Sequence, residues 1–281
     1  MTYPRELIDD LVGLQPATVL DVGCGTGKAA VALLGRGLSV LGVELDERMA
    51  QVARGHGVDV QVSAFESWDS AGRTFDLVTC GDAWHWIDPV RGVAKAAEVL
   101  DTGGTIARFW TSTVLDEEFS VAFDPIYRSY APEVVQVWRS AQGKPRVHAS
   151  RADLFERSAA FSPVGMRSYR WERSFGGDEW VGLAGTVSDH QRLGTERLTA
   201  LLRALRLRID ELGGTVHSRQ ETYVLLAQRV QQEGFEQCSR PRRVRPGSPA
   251  CCERTPFVAP ARAGARLERG DLVERPENLA A

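Results

Sequence analysis

Two short runs carry residues whose types and spacing could do chemistry. "VLDVGCGTGK" (19–28) places Gly23, Gly25 and Gly27 at alternate positions after an apolar run, with an acid, Asp21, two residues ahead of them. Glycine lets a backbone turn tightly and approach a ligand closely, and such a turn beside a helix start suits a nucleotide-like group. "GDAWHWIDP" (81–89) sets His85 between Trp84 and Trp86, with acids at Asp82 and Asp88. His85 suits three roles: a general base near neutral pH, a hydrogen-bonding group that orients a substrate, or an imidazole satisfied by backbone. A metal site is disfavoured, because no second His or Cys stands nearby at ligand spacing. The two tryptophans can wall a pocket or face a cation, or can pack under the following helix. Asp82 could bind a ligand's amino group, orient His85, or be a solvated loop acid.

The glycine run excludes two common ligands' signatures. Its G-x-G-x-G spacing puts Lys28 where a dinucleotide loop wants a third small residue, and no G-K-[ST] completes a phosphate-binding loop. Glu44, about 20 residues beyond the glycines at the end of a second apolar run, is placed to bind two ribose hydroxyls. That supports a nucleoside-containing ligand, without a choice between NAD and S-adenosylmethionine; a purely structural Glu44 is the alternative.

These runs sit in a regular frame. Strands are expected at 17–23, 38–45, 58–64, 74–81 and 104–110, with helices at 28–37, 46–57 and 89–100, Asp46 as an N-cap and Pro89 at a helix start. Continuous apolar strands separated by helices imply a parallel sheet covered on both faces, a doubly wound α/β architecture. Regularity lapses over 115–165, read as an inserted helical cap. It resumes with a strand at 166–175, helices at 177–188 and 195–212, and a closing strand at 221–230. The domain is thus 1–234. Residues 235–281, with nine arginines, no lysine and no apolar periodicity, read as a disordered tail.

Composition bounds the partners. The chain has 281 residues, 43% hydrophobic and 25% charged, enough for a sizeable core. A formal net charge of -3 gives no electrostatic reason to expect nucleic acid or an anionic membrane. "MTYPRELIDDLVGL" lacks a secretory pattern and no apolar run reaches spanning length, so the cytoplasm is the expected location. Five cysteines form no C-x-x-C pair and are read as reduced thiols.

"VLDVGCGTGK", "GVELDERM", "FDLVTCGDAWHWID" and "VLDTGGTI" appear in the order and spacing of class I S-adenosylmethionine-dependent methyltransferases, which the chain resembles over about residues 5–231. The "AWHWID" stretch and the C-terminal "WVGLAGTVSDHQRL", "IDELGGTV" and "ETYVLLAQR" are similar to the branch containing trans-aconitate methyltransferases and related small-molecule enzymes.

The resemblance implies a Rossmann-like sheet with a seventh, antiparallel strand, S-adenosyl-L-methionine as cofactor, and a small-molecule acceptor beneath the cap. It implies that Asp21, Gly23, Cys24, Gly25 and Gly27 hold the methionine end, with Gly81 and Asp82 beside them. Glu44 would bind the ribose, and Leu45 and Met49 the adenine side. Ala64 occupies the position where an acid often meets the adenine amino group, so Glu66 or the backbone around Phe65 must substitute.

Trp84, His85, Trp86 and Trp110 are the acceptor-side candidates, with Arg108 and His190 as further ones; Trp138 and Trp180 are read as cap and core. The expected reaction is in-line methyl transfer to an oxygen or carboxylate. The alternative is a non-catalytic S-adenosylmethionine-binding regulator on the same fold.

Overall fold

The protein is described here by a computed structural model covering residues 3–135 and 154–231. Five strands alternate with helices as the apolar runs predict: α1 (Arg5–Gly13), β1 (Thr18–Val22), α2 (Lys28–Leu34), β2 (Ser39–Glu44), α3 (Glu47–Gly55), β3 (Asp59–Val62), β4 (Phe75–Gly81), α4 (Pro89–Val99) and β5 (Leu100–Leu115). Then follow α5 (Glu117–Tyr130), α6 (Leu154–Arg157), β6 (Gly165–Gly176), α7 (Gly177–Gly185), α8 (Ser188–Gln191), α9 (Thr195–Glu211) and β7 (Thr215–Gln228). The strands form one seven-stranded sheet in the order β3-β2-β1-β4-β5-β7-β6. β1 to β5 pair in parallel, and β7 runs antiparallel to both β5 and β6.

Both faces of the parallel part are covered, so its strands need no polar face. Val19, Leu77 and Ala107 pack with Leu7 and Leu11 of α1 and Leu33 of α2 on one side. Leu20, Val78 and Ile106, one residue along each strand, pack with Val93 and Val99 of α4 and Phe155 of α6 on the other. The helix starts are fixed locally. Asp46 accepts from the Arg48 N–H, and Asp88 accepts from the Val90 and Arg91 N–H groups ahead of Pro89.

A third apolar cluster lies toward the β6–β7 side. Phe119, Phe123 and Tyr127 of α5, spaced four residues apart, meet Leu201, Leu205 and Ile209 of α9, also four apart. Part of the expected cap is therefore helical. Trp138 and the rest of 136–153 lie outside the described residues, as does the expected tail at 235–281.

Two strands are longer than the sequence pattern suggests. β5 continues past Trp110 to Leu115, and β7 begins at Thr215 rather than 221, because the two pair continuously from Thr105↔Gln228 to Leu115↔Ser218. Apart from Val114, Leu115 and Val216, the added residues are polar and lack apolar alternation. Their polar side chains are satisfied across the strands: Thr111 Oγ1 lies 2.9 Å from Thr222 Oγ1, and Thr113 Oγ1 donates to Gln220 Oε1 at 2.8 Å.

Candidate functional site

A cleft of about 660 Å3 opens at the carboxyl ends of β1, β2 and β4, within the size range of small-molecule sites. Gly23, Cys24, Gly25 and Thr26 of the glycine loop form one wall, while Gly27 lies behind it against Ala53 and Val58 and does not line the cleft. Gly23, Gly25 and Gly27 all take positive φ (61°, 57° and 86°), which L side chains rarely adopt. The Gly23 and Cys24 N–H groups donate to Val43 O, tying the loop to β2. The consequences of a side chain differ along the loop. A methyl at Gly23 would lie 2.6 Å from Ala83 Cβ, whereas one at Gly25 meets no protein atom within 4 Å. Cys24 is buried, with its sulfur over the bare Cα of Gly42, and burial pushes its thiol well above the usual range. Its role is to fill space.

Glu44, at the end of β2, is nearly buried and spans two backbone groups. Its Oε2 accepts from the Gly25 N–H at 2.8 Å and its Oε1 from the Asp46 N–H at 2.9 Å. Each carboxylate oxygen keeps a second lone pair, so the pairing positions Glu44 without exhausting it. Asp21, beside it on β1, is 1% exposed. Thr79, its register partner on β4, donates to Oδ1 at 2.7 Å, but Oδ2 is buried with no hydrogen-bond partner. Burial pushes Asp21 up to about 7, a rise only partly opposed by the Thr79 hydroxyl and the Ala30 backbone N–H. A buried, half-satisfied carboxylate lining a cleft is the site's clearest ligand signal.

The other cofactor-side candidates converge here too. Leu45, Met49, Ala64, Phe65, Glu66, Gly81 and Asp82 all line the cleft. Glu66 accepts from the Asp88 N–H at 2.7 Å, binding the 3-10 turn at Phe65–Ser67 to the loop ahead of α4. Asp82 faces the cleft, yet the protein massed around it raises its carboxyl above the ordinary value, with the Thr111 N–H and Tyr3 hydroxyl bonds opposing.

The aromatic run divides. Trp84 to Trp86 form a 3-10 turn immediately after β4. Trp84 packs inward, with ring centroids 5.3 Å from Phe155 and 6.4 Å from Phe65. Trp86 is 69% exposed at the cleft's edge and lines it. His85 is exposed, its ring 4.8 Å from that of Trp86, and it is not among the lining residues. Trp110 stacks on Tyr223 at 5.6 Å along the β5–β7 pair, and Arg108 is buried over the Phe155 ring, both outside the cleft lining. His190 is buried in the cap, its Nδ1 2.7 Å from Ala184 O and its ring against Tyr127.

Among the lining residues that were not singled out in the sequence, Tyr3 and Thr186 come from segments far from the glycine and aromatic runs. Tyr3, just before α1, reaches the cleft and donates to Asp82 Oδ2 at 3.0 Å; Thr186 reaches it from the end of α7. A Tyr-Pro pair before an amphipathic helix was the one available signal, and it says nothing of where the ring lands.

The seven-stranded sheet with β7 antiparallel has the Rossmann-like fold seen in methyltransferases. Residues 19–104 match the family model described as a methyltransferase domain. An uncharacterized methyltransferase of Mycobacterium tuberculosis is 34% identical over 113 residues, 40% of this chain and 46% of that protein. A ubiquinone biosynthesis O-methyltransferase of Thiobacillus denitrificans is 36% identical over 107 residues, 35% of this chain and 46% of that protein. The chain thus spans about half the length of the curated relatives it matches. Among solved structures, a protein of Anaeromyxobacter dehalogenans assigned as a type II methyltransferase aligns over 82% of this chain and 98% of its own. Its TM-score is 0.56 at 22% identity, a likeness of fold.

Proposed function

We propose that this chain transfers a methyl group from S-adenosylmethionine to a small molecule, with an oxygen or carboxylate as acceptor. The observation that carries the reading is Asp21: a cleft-lining carboxylate, buried, with one oxygen unpartnered. A cationic ammonium is the group that would satisfy it. The cleft's acids, Asp21, Glu44, Asp46, Glu66 and Asp82, outnumber its one lysine, Lys28, which favours a cationic ligand over a polyphosphate.

The residues present fit the cofactor. Asp21, Asp82 and the loop of Gly23, Cys24 and Gly25 hold its methionine end, with Gly27 turning the loop from behind and Gly81 leaving room beside them. Glu44 takes the ribose hydroxyls. Leu45, Met49, Ala64 and Phe65 supply an apolar berth for the adenine, with Glu66 at its rim. When bound, S-adenosylmethionine supplies a methyl group already activated on a sulfonium. The chain's own work is alignment and exclusion of water, because an in-line displacement with a neutral leaving group needs little else.

On the acceptor side, Trp86 walls the mouth of the cleft, while Trp84 and Trp110 act through packing. His85, exposed beside Trp86, orients the acceptor by hydrogen bonding; a phenolic acceptor would also require it to take a proton. The ubiquinone biosynthesis O-methyltransferase relatives support an oxygen acceptor. The working location is the cytoplasm, in keeping with a sequence of ordinary soluble composition.

Calorimetric titration tests the first step: no saturable binding at millimolar S-adenosylmethionine overturns the proposal. A mass-spectrometric screen of metabolite extracts for cofactor-dependent gain of one methylene tests the second. Binding without turnover across a broad acceptor panel would instead favour a non-catalytic regulator.

A further inference from the structure

We propose that Tyr3 is a positioning residue for the cofactor's cationic methionine end, acting through Asp82. The inference rests on the methyltransferase reading above and deepens it.

Among the described residues, three that are not glycine take positive φ: Gln15, Ala71 and Asp82. Of these, only Asp82 lines the cleft. Its left-handed backbone (φ 54°) is a conformation that surrounding contacts must hold. Three bonds hold it. The Asp82 N–H donates to Phe109 O at 2.8 Å, the Thr111 N–H donates to Oδ1 at 3.2 Å, and the Tyr3 hydroxyl donates to Oδ2 at 3.0 Å. The first two come from β5, the neighbouring strand. The third comes from the segment ahead of α1, 79 residues away in sequence.

The surroundings are shaped to receive that hydroxyl. The Tyr3 ring stands edge-on to Phe109, with centroids 4.7 Å apart and planes at 84°. A methyl at Gly81 would sit 2.5 Å from the Tyr3 oxygen, so the absence of a side chain at Gly81 is what admits the ring. Phenylalanine would satisfy the same packing. The hydroxyl adds one thing to it, the bond to Asp82.

The chemistry of the donor matters. A lysine or arginine on Oδ2 would neutralise Asp82, whereas a phenol fixes the carboxylate and leaves its charge for the ligand. Asp82 and Asp21 line one cleft, and both act on the Tyr3 hydroxyl electrostatically. With Asp82 fixed, a cationic ligand meets two preplaced carboxylates; released, Asp82 must be ordered on binding, at a cost in affinity.

The test is cofactor binding by calorimetry to the full chain, in wild type, Tyr3→Phe, Asp82→Asn and the double variant, each with a thermal melt. Tyr3→Phe is expected to weaken S-adenosylmethionine and S-adenosylhomocysteine binding about five- to tenfold, the size of one hydrogen bond's worth of positioning. Its melting midpoint should stay within about 3 °C of wild type, since the ring remains. At saturating cofactor, kcat should change less than about threefold, the defect lying in KM for the cofactor. On the Asp82→Asn background, removing the hydroxyl should cost less than about twofold, because its effect runs through the carboxylate.

Wild type binding normally while Tyr3→Phe stays within twofold of it overturns this inference alone. So does a full loss on the Asp82→Asn background, which would place the hydroxyl directly on the ligand. If Tyr3→Phe melts far below wild type, the role is packing and the inference fails. Absence of binding by wild type overturns the methyltransferase reading and this inference with it.

Discussion

The Glu44 carboxylate at the end of β2 accepts from the Gly25 backbone N–H at 2.8 Å, joining the two halves of the site before any ligand arrives. The same group is proposed to hold the ribose, so loop geometry and sugar recognition share one side chain. Glu44→Ala should therefore lose on both counts. It leaves the Gly25 and Asp46 N–H groups without their charged partner, lowering stability by about 1–3 kcal/mol by denaturant titration. Cofactor affinity should fall by at least about tenfold. Unchanged affinity would remove Glu44 from the binding set.

Gly23→Ala and Gly25→Ala should fail differently. At Gly23 the new methyl collides with Ala83 Cβ at 2.6 Å, so the variant should melt several degrees lower. At Gly25 no protein atom lies within 4 Å, so destabilisation is limited to the positive φ, roughly 1 kcal/mol, while the methyl occupies space claimed for the ligand. Gly25→Ala should thus stay folded and lose most cofactor binding. Paired melts and titrations separate the two.

The raised pKa of Asp21 sets a pH dependence with a definite sign. Its unfolded value is near the ordinary 3.8 and its folded value about 7. The folded chain therefore holds more protons between those limits. Asp21's contribution to stability is full below about pH 4 and is lost as pH rises through about 7. Asp21→Asn should stabilise the ligand-free chain above pH 7, by at most about 4 kcal/mol, with little gain at pH 4. A cationic ligand prefers the ionised form, so wild-type affinity should rise from pH 5.5 to 8. Binding at pH 6 should release close to one proton, read from calorimetry in buffers of different ionisation enthalpy. A pH-independent affinity would contradict Asp21's assigned partner.

Trp86 and His85 are the exposed members of the aromatic run, so their variants should leave folding intact. Trp86→Ala is expected to shift stability by less than about 0.5 kcal/mol while raising KM for the acceptor. His85→Gln should raise that KM with kcat within about threefold if the residue orients the acceptor. A fall in kcat beyond about 100-fold with a phenolic acceptor would establish it as a base. Trp84→Ala should instead destabilise by about 3 kcal/mol, since its ring packs on Phe155 and Phe65.

What the sequence determined by itself was the parallel half of the fold and the glycine-loop side of the cleft. Those features are local. Apolar runs that need burial on both faces, glycines that admit positive φ, and acids at strand ends write their requirements into adjacent residues. The acceptor side was not legible in the same way. Nothing in "AWHWID" distinguishes a tryptophan that packs on Phe155 from one that faces the cleft, because a short turn has no periodicity to assign faces.

The long β5–β7 pair was hidden for a related reason. Thr111, Thr113, Thr222 and Gln220 are satisfied by bonding across strands, and the partner of each lies more than 100 residues away. Only the tertiary structure could bring Thr79 to Asp21 or Tyr3 to Asp82, since each contact depends on strand register and helix docking. The residue types that line the cleft were set in sequence, and the hydrogen bonds that fix their charge and geometry were set by the fold.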